Sequence, residues 1–363
     1  MRMRVLPSFL IPVCCGAFSA VAGACGFDGT SDAPVALSPM VPVDSIRLLE
    51  TDAAHISRPS GIEQARNGDY LVSDRLSGQL YRFTHAGQFL NTIGRKGAGP
   101  GEFQAPRGIA IVNDTIIAFD PGLRRAQTFT LDGDLAGDPF ALAFDLSMVA
   151  SAGSSVWIGG SGGQDRMSLL RWNRTTGDVA SLLPVPALLQ SNPLLLLLGG
   201  AVFAPADGPT QSMIVGFGAG STVYRVDPEN GEILDSVVVP IRRRRGLPDE
   251  AIDRAREGDG FAVINAASGL TRIARLSSGG FALLHMDMTR KQVSFSGDMF
   301  LTTVSADGIP SCVDFPVPLL DETRPMVSVK GDTLIILEQP IDESDSVATI
   351  IRRFAIREVQ RCG

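Results

Sequence analysis

Two stretches decide the fold. The first reads Gly61-Ile62, then Asn67-Gly68-Asp69-Tyr70-Leu71-Val72-Ser73-Asp74, then Tyr81-Arg82-Phe83-Thr84-His85-Ala86-Gly87. It recurs as Gly108-Ile109, then Asn113-Asp114-Thr115-Ile116-Ile117-Ala118-Phe119-Asp120, then Gln127-Thr128-Phe129-Thr130-Leu131-Asp132-Gly133. Asp74 and Asp120, Phe83 and Phe129, and Gly87 and Gly133 are each separated by 46 positions. Each copy alternates short β-rich runs with glycine-closed polar turns, the mark of antiparallel hairpins. A period in the forties built from such hairpins predicts four-stranded blades arranged around an axis.

Weaker copies continue along the chain. Polar turns closing on glycine recur at Trp172–Gly177, Val226–Gly231 and Val304–Gly308, behind the strands Ser155–Ile158, Met213–Val215 and Phe281–Leu284. A sixth copy, Lys330–Leu337, is followed by the apolar run Ala348–Ile356 and no closing hairpin. Asp44–Glu50 stands ahead of the first blade with nothing of its own to pair with. Borrowing it removes two sheet edges. The expected fold is therefore all-β: a six-bladed β-propeller of four-stranded antiparallel blades, the last closed by the N-terminal strand, over residues 44–363.

Between the two best copies lies Gly94-Arg95-Lys96-Gly97-Ala98-Gly99-Pro100-Gly101-Glu102-Phe103-Gln104-Ala105-Pro106. This resembles the inter-blade linker of NHL-repeat six-bladed β-propellers, and the whole chain resembles those of bacterial lipoproteins. The resemblance is strong over about a third of the chain, and it implies a fold more than an activity. The same glycines do not form a dinucleotide loop, because a strand rather than a helix follows them.

The N-terminus reads as an address. Met1-Arg2-Met3-Arg4 opens an apolar run that ends at Ala22-Gly23-Ala24-Cys25, a signal peptide over 1–24. Three small residues before Cys25 resemble a lipobox, in which the thiol is acylated. Ala22 stands where that motif usually has leucine, so cleavage and simple secretion stay open beside lipidation. Residues 25–43 read as a flexible tether. The implied location is the periplasm or cell surface of a bacterium, with a membrane contact through the lipid. Cys312 and Cys362 are the cysteines beyond the address region and, in an oxidising compartment, candidates for one disulfide.

The formal net charge is −7, which argues against nucleic acid as a partner. Arg242-Arg243-Arg244-Arg245 opens an insertion whose residues 246–258 predict a short helix; the run is a loop neutralised by nearby acids or a docking patch for an anionic surface. Asn192–Gly200 reads as a buried inner strand. His55, His85 and His285 fall at non-equivalent places in the repeat, so no metal site and no cofactor are expected. Asp74 and Asp120 read as turn residues bonding nearby amides.

Arginine recurs at or just before the innermost strand of four blades: Arg58, Arg107, Arg272 and Arg324. These blades are neighbours once the ring is closed, and four guanidinium groups at a channel mouth would focus positive potential. The expected protein is a monomeric binding or scaffolding module for a small anionic ligand or a protein, more readily than an enzyme. The alternative is a lactonase- or esterase-like propeller hydrolase with a metal at the channel mouth, for which Glu63 and Asn265 are the nearest candidates.

Overall fold

In the computed structural model, residues 37–359 and 362 are described, except 53, 143, 163–166, 188–189, 191–199, 207–211, 219, 288, 292–293, 322 and 342–347. The signal segment, Cys25 and the leucine run at 192–198 lie outside the described residues.

Six four-stranded antiparallel sheets follow one another around an axis. Their inner strands are Pro59–Gln64, Gly108–Val112, Phe144–Ala152, Ala201–Ala204, Ser268–Arg275 and Thr323–Lys330, for blades 1 to 6. In blades 1 to 5 the chain then moves outward strand by strand. Blade 6 takes its outer strand from the N-terminus: Met40–Arg47 pairs with Ile350–Ile356, with Ser45 opposite Arg352 and Ile46 opposite Ile351. The borrowed strand thus begins four residues ahead of the expected boundary at 44. Asp44 and Arg353 add an ion pair across the seam.

The second strand of each blade is buried on both faces, which explains its continuous apolar composition. In blade 1, Tyr70 and Val72 pack toward blade 6 with Ile335 and Leu337, while Leu71 packs toward blade 2 with Ile109 and Ile116. Each inter-blade seam is therefore a separate small core. The linker between blades 1 and 2 contributes Phe103, fully buried beside Phe129 at a centroid distance of 5.5 Å. Gly61 is glycine for contact reasons, since a Cβ there would strike the Arg107 carbonyl oxygen of the next blade.

The insertion holds two short helices, α1 (Asp249–Arg256) and α2 (Gly260–Ala266), where the sequence predicted one. Acids in the first turn and arginines in the last make α1 favourable with respect to its dipole. Ala255 and Val263 carry the pair into the core between blades 3 and 4. In the preceding arginine run the backbone and the Arg244 side chain are tied down, while the side chains of Arg242, Arg243 and Arg245 stay exposed. Asp314 accepts the backbone N–H groups of Arg242 and Arg243 and pairs with the buried Arg244 guanidinium at 3.0 Å. Arg245 pairs with Asp287 at 3.5 Å. Cys312 and Cys362 are disulfide-bonded, joining blade 5 to the chain end beyond blade 6.

Candidate functional site: a cationic central channel

An acid ends the second strand in blades 1, 2 and 5 and comes close to the end of it in blade 6, and each clamps the chain leading to an inner strand. Asp74 accepts the N–H groups of Ser57 and Arg58 at 2.6 and 2.7 Å. Asp120 accepts those of Gln104 and Ala105, Asp287 that of Arg245, and Glu338 that of Leu320. All four carboxylates are buried. Asp74 also accepts from Leu76 and Ser77, and Asp120 from Leu123, so both are turn residues as read from sequence. Their second task is to fix where the chain begins its descent into the channel.

These acids also give a common register. Three residues before them stand Leu71, Ile117, Leu284 and Ile335, which pair across to Glu63, Ala110, Arg272 and Ser328. Glu63, Arg272 and Ser328 therefore occupy one level of the channel, although no local motif connects them. Ser328 Oγ donates to Glu63 Oε2 at 3.0 Å.

The six inner strands enclose a cavity of about 1300 Å³. Arg58, Arg107, Arg272 and Arg324 all line it, together with Arg66, Arg75, Arg275 and Lys330. The lining carboxylate among the described residues is Glu63. The four arginines picked out from sequence thus share one cavity but not one level: Arg58 lies three residues ahead of Gly61, whereas Arg107 immediately precedes the matching Gly108. Arg75, from the second turn of blade 1, was missed because it sits outside any inner strand. Ser328 and Lys330 were missed because the register that aligns them becomes visible only through strand pairing.

The cations of the channel press on one another. Loss of hydration is the main cause that lowers the pKa of Arg75, Arg107 and Arg272, and a neighbouring cation adds to it in each case: Arg58 for Arg75, against Asp74, Arg75 for Arg107 and Arg107 for Arg272. Arg272 is pulled down to about 10, with Glu63 pulling the other way. Arg107 is open to the channel but ringed by protein, and no carboxylate offsets its loss of water. Arg324 holds Gln339 Oε1 at 3.5 Å, and its Nε is buried without a partner. Burial pushes Glu63 up to about 7, against Ser328, Arg272 and Lys330, which favour the charged form. At the far mouth the cations tie blades together: Lys330 donates to the Gln64 and Ala65 carbonyls, and Arg275 to those of Pro205 and Ser212.

Among the described residues lining the channel, no His, Cys or second carboxylate accompanies Glu63. Asn265 lies on α2, its carbonyl accepting from Arg245, and does not line the channel. Among the described residues no group of three or more His, Cys, Asp or Glu side chains could hold an ion, and none of the helices is long and apolar enough to cross a membrane.

Fold and channel define a six-bladed β-propeller. Residues 28–149 match the DUF5128 family, described as a 6-bladed beta-propeller. No curated protein matches the chain in sequence. Among solved structures, a member of the DUF4221 family from Bacteroides vulgatus has a TM-score of 0.60 at 10% identity, covering 88% of this chain and 98% of its own. A Bacteroides fragilis protein named "putative exported protein" has a TM-score of 0.58 at 12% identity, covering 90% and 98%. At such identities the likeness is one of fold.

Proposed function

We propose that this chain is an exported propeller, held to a membrane by a lipid on Cys25, that captures an anionic ligand in its central channel. The observation that carries the reading is the imbalance of charge in the cavity: among the described residues eight cations and one carboxylate line it, in a chain of formal net charge −7. Guanidinium groups that lose water and repel one another are a standing cost to the fold, and a bound anion relieves it. Planar donors in a partly dehydrated funnel also suit a carboxylate or phosphate better than any neutral ligand.

Calorimetric titration of the exported chain with monocarboxylates and inorganic phosphate tests this. Replacing both Arg107 and Arg272 with Gln should weaken binding by about tenfold or more, since a hydrogen bond to a charged group contributes about 1.5–3 kcal/mol. Added salt should weaken it as well. Absence of any anion binding, or an unchanged affinity in the double variant, would refute the site. The anchor is tested separately: Cys25→Ser should move the protein from the membrane to the soluble fraction, and equal recovery of both forms from membranes would refute it.

A further inference from the structure

Among the described residues, the charged side chains lining the channel come from four contiguous blades of the six. Each cation lining it, and Glu63, comes from blade 5, 6, 1 or 2. The described lining residues of blades 3 and 4 are 146–153 and 203–205, and these contain no ionisable side chain. Met148, Val149 and Ala150 are half-buried there and face the cavity with apolar surface. The two hydroxyls of that arc are already engaged as donors: Ser147 Oγ bonds the Ala201 carbonyl at 2.8 Å, and Ser151 Oγ the Ile111 carbonyl at 2.7 Å. Both bonds tie blade 3 to a neighbouring blade, so the described side chains of this wall offer few free donors, and its remaining polar groups are those of the strand's own backbone edge.

We infer that the channel takes an anionic amphiphile, a molecule with one acidic head on an apolar body, its head against blades 5, 6, 1 and 2 and its body against blades 3 and 4. The inference rests on the anion-binding reading above and specifies its ligand. A small inorganic anion would satisfy the arginines but leave the opposite wall and most of about 1300 Å³ filled with water. A polyanion would press charge against an arc whose described side chains include no cation to pair with it. A head with an apolar body satisfies both arcs, and the cavity is larger than many sites for small organic molecules.

A homologous series tests this on the unmodified exported chain. Calorimetry with acetate, hexanoate, octanoate and decanoate should show Kd falling about two- to fourfold per added methylene, the range that apolar burial gives. Decanol and decyltrimethylammonium should bind far more weakly than decanoate. Val149→Gln should flatten the series while leaving acetate bound, and the Arg107→Gln, Arg272→Gln pair should weaken every acid. A flat series, with acetate or phosphate binding as tightly as decanoate, overturns the amphiphile and leaves the anion site standing. No binding by any acid overturns both.

Discussion

Ser328, on the inner strand of blade 6, donates a 3.0 Å hydrogen bond to Glu63 on the inner strand of blade 1, 265 residues away in the chain. The bond crosses the seam at which the ring closes, and it holds the acid of the channel at the level of Arg272. Glu63 therefore sets the local charge that any anion meets. With burial pushing its carboxyl to about 7, that charge changes close to neutrality.

Anion affinity should rise as pH falls from 8 to 6. Protonating Glu63 removes the negative group that competes with a bound anion for Arg272 and Lys330. At a separation of roughly 10 Å and an effective dielectric constant near 20, the change is about tenfold in Kd. Glu63→Gln should hold affinity at its low-pH value throughout. Titrations at three pH values check this, and a pH-independent wild-type Kd would contradict it.

The same residue should cost the fold stability at high pH. Its folded pKa, about 7, exceeds the reference 4.5, so its contribution is most favourable below about 4.5 and is lost as pH rises through 7. The shift corresponds to at most about 3 kcal/mol, and water in the channel reduces this to about 1–2 kcal/mol. Glu63→Gln should thus be more stable than the parent at pH 8 and no more stable at pH 4. Denaturant melts of both proteins at the two pH values measure it.

Ring closure should depend on Met40–Arg47. A chain beginning at residue 48 loses the strand paired to Ile350–Ile356 and exposes a sheet edge at the seam. It should unfold at a markedly lower denaturant concentration and over a broader transition. A truncated chain with the parent's midpoint and slope would mean that the strand is dispensable.

Asp314 is predicted to be the costliest acid to remove in the insertion region. It is fully buried, accepts the Arg242 and Arg243 amides and pairs with Arg244, which is itself buried. Asp314→Ala strands that guanidinium and should cost about 3–5 kcal/mol. Arg244→Ala should cost less, because the backbone amides still satisfy the carboxylate. Equilibrium unfolding of the two variants gives the order.

Reduction of the disulfide should also lower stability. Cys312–Cys362 closes a loop with a sequence separation of 50 residues. The Cys312→Ser variant, or the reduced parent, should lose about 2–4 kcal/mol by urea titration. Indistinguishable curves for oxidised and reduced protein would remove the bridge from the stability of the ring.

The sequence by itself determined the architecture. The 46-residue spacing of Asp74 to Asp120 and Gly87 to Gly133, the unpaired strand near Ile46 and the linker ending at Phe103-Gln104-Ala105-Pro106 are all local patterns. They are legible because turns, strand alternation and repeat length are written in neighbouring residues. One arginine per blade at Arg58, Arg107, Arg272 and Arg324 was legible for the same reason. What only the tertiary structure decided is which residues meet in the channel. Glu63, Arg272 and Ser328 share a level because three strand registers, each ending near a buried acid, bring them there. Arg75 joins them from a turn, and the apolar arc of blades 3 and 4 faces them across the axis. Registers across a closed ring are long-range: each depends on how every preceding blade packs, so no stretch of sequence contains them. Arg244 makes the same point, since Asp314, a distant residue on blade 5, turns one charge of a conspicuous arginine run into a buried tie.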